Sequence, residues 1–121
     1  MSEGTLFRVP ILSNKALTVR IEYTSGLGTT NAELNGETLT VQNPDDQHCV
    51  IAIPATLKPW RRRLVVSSII KDINPSNQFN KVEEVITIQD DTTQTEIFKR
   101  INSVTVQNED FQLFDTDILF T

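Results

Sequence analysis

Apolar and polar residues alternate along much of this chain. Leu17, Val19, Ile21 and Tyr23 are apolar, and Thr18, Arg20 and Glu22 between them are polar. A period of two places one set on a buried face and the other in water, which predicts a half-buried antiparallel strand over residues 17–23. A second pair of alternating arms, residues 32–34 and 37–41, flanks Asn35-Gly36. Asn-Gly at such a centre predicts a two-residue type I′ hairpin, because both central residues need positive φ.

Elsewhere the alternation breaks down in informative ways. Residues 49–53 (CVIAI) are apolar on both faces and end at Pro54. Residues 64–70 (LVVSSII) are β-branched and almost wholly apolar, which predicts a central strand. Residues 84–88 make another strand, and the aromatic-rich stretches 111–114 and 118–120 end the chain in strands. Residues 6–12 contain Pro10, which cannot donate to a ladder, so they read as an edge strand or an extended lead-in. In residues 96–107 two periods compete. Ile97, Phe98, Ile101 and Val104 match helical spacing, while residues 101–106 are rich in β-branched side chains. The expectation is a strand at the end of this segment, with room for one helical turn at its start. Turn formers gather at residues 24–28 (with Gly26 and Gly28), 42–47, 72–78 and 90–93. The sum is an all-β chain, one domain over residues 1–121, with seven to nine short strands and at most one short helical turn. An antiparallel β-sandwich, Ig-like or jelly-roll in plan, fits that spacing.

One succession carries a resemblance. The alternating strand is followed by Leu34-Asn35-Gly36, a polar turn, Val50-Ile51-Ala52-Ile53-Pro54, Leu57-Lys58 and Leu64-Val65-Val66. This cadence, over residues 17–88, resembles Ig-like and galactose-binding-like sandwich modules of accessory, lectin-like and phage structural proteins. The resemblance implies a two-sheet fold and a binding or structural role. It brings no catalytic residue with it, and fold alone does not fix function.

Charge narrows the partners. A net charge of −5 argues against nucleic acid as a partner. The distribution is uneven. Residues 82–121 hold nine acidic side chains and two basic ones, whereas Lys58, Arg61, Arg62 and Arg63 cluster around Pro59 and Trp60. A basic loop and an acidic C-terminal third could pair between copies of the chain or with a protein partner. No apolar run approaches the ~18 residues that a membrane span requires. With no basic, apolar leader at the N-terminus and a single cysteine, a cytoplasmic chain is expected, or one built into a particle or exported by a non-classical route.

Chemistry adds little. His48 and Cys49 are the only histidine and cysteine, and neighbours on a strand point to opposite faces. They form neither a nucleophile pair nor, within one chain, a zinc cage of Cys and His. Asp45-Asp46, Asp90-Asp91 and Asp110 with Asp115 and Asp117 are calcium candidates by composition. They lack EF-hand spacing and read more simply as turn formers. No enzyme, cofactor or metal is expected; a small hydrolase is the least favoured class. The leading candidate site is Lys58, Trp60, Arg61, Arg62 and Arg63, where a tryptophan face and guanidinium forks could anchor a protein partner. A carbohydrate-binding alternative stacks a sugar on Trp60 and adds Asn74 and Asn77 from the Asn-rich loop 74–80. The expected function is a non-enzymatic interaction or assembly module.

Overall fold

The computed structural model describes residues 6–9, 15–24, 26–42, 47–55, 62–72, 80–106 and 111–120. Their strands are β1 (Leu6–Val9), β2 (Leu17–Thr24), β3 (Gly26–Leu34), β4 (Glu37–Thr38), β5 (Val41–Gln42), β6 (His48–Ile53), β7 (Arg62–Asp72), β8 (Asn80–Asp90), β9 (Thr95–Val106) and β10 (Phe111–Phe120). They form two five-stranded sheets. The first has the order β1-β10-β7-β3-β4 and the second β5-β6-β2-β8-β9. All pairings are antiparallel except β1 with β10.

The period of two decides what lies between the sheets. On β2 the apolar set Leu17, Val19, Ile21 and Tyr23 is buried, as expected. Ile51, Leu64, Ile86, Ile118 and Phe120 reach the same cluster from β6, β7, β8 and β10, so both sheets close on one core. Burying each such side chain contributes roughly 1.5–3 kcal/mol. The hairpin is also as expected. β3 and β4 pair across Asn35 and Gly36, whose φ angles are 52° and 83°.

Three expectations are revised. The described residues form ten strands where seven to nine were expected, and the surplus is small: β4 and β5 have two residues each. The helical turn at the start of residues 96–107 is strand instead. Ile88 pairs with Phe98 and Gln89 with Glu96, so Ile97 is an extra residue in a β-bulge. The bulge turns both Ile97 and Phe98 toward the core margin, which imitates helical spacing in the sequence. Residues 24–28 are not simply a loop, since β3 begins at Gly26. Gly28 is needed for close approach: a Cβ there would lie 2.7–2.8 Å from Tyr23 ring carbons.

The margins are closed by contacts between the sheets. Phe7 on β1 meets Phe98 on β9 edge to face, with ring centroids 5.6 Å apart. The Arg100 guanidinium lies 5.0 Å over the Phe7 ring. The turn after β8 is tied down by its aspartates, as turn-forming residues predict. Lys15 Nζ donates to Asp90 Oδ2 at 3.0 Å, the Thr92 amide donates to Asp90 Oδ1 at 2.9 Å, and Thr18 donates to Asp91 at 2.7 Å. The Lys15 hydrogen bond is the main reason the Asp90 carboxyl sits below its usual pKa.

Candidate functional site

Lys58, Trp60, Arg61, Asn74 and Asn77 lie outside the described residues, as do Asp45, Asp46 and Asp110. Among the described residues no group of three or more His, Cys, Asp or Glu side chains could hold a metal ion. Arg62 and Arg63 open β7 and so point to opposite sides of it. Arg62 faces inward and is 3% exposed. Its Nη1 donates to the Pro54 carbonyl at 3.2 Å, and its guanidinium lies 5.7 Å from the Phe120 ring centroid. Nε and Nη2 have no hydrogen-bond partner, and burial lowers the Arg62 pKa. Arg63 faces outward. Its Nε donates to Asp117 Oδ1 at 2.8 Å and its Nη2 to Oδ2, a two-point contact that raises its pKa. One basic residue is therefore in the core margin, and the other is held by an acid of the C-terminal third.

The outward face of the first sheet is built in rows across β10, β7 and β3. Phe111, Lys71 and Leu27 form one row, followed by Leu113, Ile69 and Thr29. Next come Asp115, Ser67 and Asn31, then Asp117, Val65 and Glu33. The first two rows hold four large apolar side chains that are far from buried: Phe111 is 67% exposed, Leu113 52%, Ile69 51% and Leu27 40%. Lys71 Nζ lies over the Phe111 ring, 5.6 Å from its centroid. Side chains opposite one another on neighbouring strands lie about 5 Å apart, so these residues form one continuous patch. A patch of this kind on a solvent-facing sheet marks an interaction surface.

The outward face of the second sheet is polar. An open groove of about 490 Å³ lies on it, lined by Thr18, Arg20, Glu22, Val50, Thr87, Gln89 and Glu96. Of the large hydrophobic side chains, Ile101 on β9 is the exposed one on this face among the described residues.

A third feature lies inside. Hydroxyls of Tyr23, Thr30 and Ser68 form a chain, with 2.8 Å between Thr30 and Ser68, and Tyr23 also meets Cys49 Sγ at 3.6 Å. Asn102 Nδ2 donates to Glu84 Oε1 at 2.9 Å and to the Thr116 hydroxyl at 3.0 Å. The Tyr23–Thr30 and Asn102–Thr116 bonds each join a residue of one sheet to one of the other, so the polar groups run between the sheets. Glu84 is fully buried and its Oε2 has no partner. Burial raises its pKa strongly enough to outweigh the bonds from Ser68 and Asn102, which favour the anion. Burial likewise pushes the Cys49 thiol and the Tyr23 phenol upward, so neither is a poised nucleophile. These polar side chains thus join the two sheets.

The sequence reading did not single out Phe111, Leu113, Ile69 or Leu27. A signal was there: residues 64–70 and 111–114 carry apolar side chains at both parities, but the first segment reads as a central strand and the second simply as a strand. Comparison with known proteins finds no matching family model, no matching curated protein and no matching solved structure.

Proposed function

We propose that this chain is a non-enzymatic binding and assembly module that works through the outward face of its first sheet. The observation that carries the reading is the contiguous exposure of Phe111, Leu113, Ile69 and Leu27 on three neighbouring strands. Leaving such side chains in water forgoes roughly 1.5–3 kcal/mol for each that could be buried, and aromatic side chains are enriched in protein interfaces. Catalysis is not part of this reading, because the Glu84 carboxyl and the Cys49 thiol are enclosed in the core.

The same proposal takes the sandwich as Ig-like. In that plan four strands of one sheet run G-F-C-C′, matched by β10-β7-β3-β4, and three of the other run D-E-B, matched by β5-β6-β2. The β8–β9 hairpin then occupies the edge where the first strand of such a domain would lie. This assignment is favoured over a jelly roll by the grouping of β2 to β7, in which β2, the pair β3–β4, the pair β5–β6 and then β7 fall in opposite sheets in turn, as B, C–C′, D–E and F do in the Ig-like plan.

The test uses a photoreactive phenylalanine analogue in place of Phe111 and, in a second protein, in place of Thr87 on the opposite face. In the cell that makes the chain, adducts are expected from position 111, suppressed by Ile69→Asp, and not from position 87. Adducts from position 87 alone, or from neither position, would reject the reading.

A further inference from the structure

We infer that the occupant of the apolar patch is a second copy of this chain, packed face to face about a two-fold axis that lies across the strands near Ile69. The inference rests on the assembly reading above and adds the partner and its orientation. It follows from how charge is placed around the patch. Lys71 sits in the first row of the outward face, Ile69 in the second and Asp115 in the third.

Two-fold packing of one face on itself allows two limiting arrangements. An axis running along β7 would stack Lys71 on its own counterpart and Arg63 on its own counterpart. It would also set Asp117 of β10 opposite the partner's Glu33, since the two flank Val65 on either side of β7. Every one of these contacts joins like charges. An axis across the strands reverses the order of the rows instead. The row of Leu113 and Ile69 then meets its own counterpart, and the row of Phe111 and Lys71 passes over the partner's row of Asp115 and Ser67. Ile69 lies near the axis, and each Lys71 is carried over the row that contains the partner's Asp115. The symmetry makes this contact twice, as an isologous interface must. Rows on one face are about 7 Å apart and strands about 5 Å, which a lysine side chain spans. Arg63, Asp117 and Glu33 are left at the rim, where Arg63 and Asp117 already pair within one chain.

Asp115 is exposed and has no ion pair of its own among the described residues. Lys71 has no carboxylate partner there either, and its Nζ lies over the Phe111 ring. The face thus carries a cation within its first apolar row and an anion in its third, neither in an ion pair among the described residues, with the row of Leu113 and Ile69 between them. Such a surface is complementary to itself when turned end over end.

Charge reversal tests this directly. Sedimentation of the full chain is expected to show a concentration-dependent dimer. Lys71→Glu alone and Asp115→Lys alone should each weaken it roughly tenfold or more, because each places like charges together twice. Mixing the two single variants restores both opposite-charge contacts, so the mixture should form a heterodimer at least as tight as the wild-type dimer. Circular dichroism checks that each variant is folded. A chain that stays monomeric at all concentrations, or a dimer indifferent to both changes and to mixing, overturns the inference. A monomer that still forms adducts from position 111 with another protein sinks the second copy and leaves the assembly reading standing. Silence at position 111 removes both.

Discussion

The two outward faces belong to the same sandwich and have the same number of strands behind them, yet they differ in kind. The second sheet turns Thr18, Arg20, Glu22, Thr87 and Gln89 to water, with half-buried Val50 among them. The first turns out Phe111, Leu113, Ile69 and Leu27 at one end and Asp115, Asp117, Glu33 and Arg63 at the other. One face shows what the fold tolerates on its solvent side, where Ile101 is the one large exposed hydrophobic among mostly polar described residues. The apolar rows on the other face therefore have no evident structural need. Scattered exposed hydrophobics are ordinary, but four in adjacent register positions are not.

The comparison can be broken or sharpened by substitution. The largest effect is expected from Ile69→Asp combined with Phe111→Asp, which removes two buried side chains from the interface. Association should weaken about a hundredfold or more in sedimentation equilibrium, with the fold retained. Arg20→Glu combined with Thr87→Lys on the other face should leave association unchanged. If the second pair acts as strongly as the first, the contrast between the faces fails.

A smaller effect is expected on the inner side of the first sheet. Gly28→Ala drives a Cβ into the Tyr23 ring, where the approach would be 2.7–2.8 Å. Overpacking of this kind costs about 1–3 kcal/mol, read from the urea midpoint. It should lower stability without changing the association constant of the folded chain, which separates packing inside the sheet from binding outside it.

Glu84→Gln should act through pH. The folded carboxyl holds its proton to a higher pH than the unfolded chain, where glutamate titrates near ~4.3. Between the two values the folded state binds more protons, so stability falls as pH rises. The contribution is complete below the unfolded value and lost as pH climbs through the folded one. The variant cannot ionise, so its urea midpoint should decline less from acid toward neutral and alkaline pH. Parallel curves for the two proteins would refute a buried, protonated Glu84.

The smallest effect belongs to Arg63→Ala. Its pair with Asp117 is exposed on the arginine side, and exposed ion pairs add little. The denaturation midpoint should barely move, and a large loss would show that this rim contact organises the face.

Much of the fold was legible because it is encoded locally. The alternation in β2 and the Asn35-Gly36 turn depend on neighbours in sequence, and both appear as read. What escaped depends on which side chains the fold brings together across the sheets. Gly28 follows Tyr23 closely in sequence, yet only the packing of β2 in the other sheet puts the Tyr23 ring in the space of its Cβ. Ile97 looked helical because a bulge and a helical turn both place adjacent residues on nearly the same side. Glu84 reads as a polar residue at the start of a strand, and its burial follows from the parity set by Val82, Ile86 and Ile88. The candidate surface was hidden by ambiguity. A strand that is apolar at both parities is buried on two faces or sticky on one, and only the observed exposure of Ile69 and Leu113 separates the cases. Of the basic cluster, Arg62 and Arg63 show how a run of like residues splits once a strand passes through it, one side chain inward and the next outward.

Hydroxyl-radical footprinting of the full chain, at protein concentrations below and above the onset of association, probes both faces in one measurement. The account predicts that Phe111, Leu113 and Ile69 lose reactivity as concentration rises, while Ile101 and Val50 on the second sheet do not change. Protection of Ile101 and Val50 with Phe111 and Leu113 still reactive would contradict it.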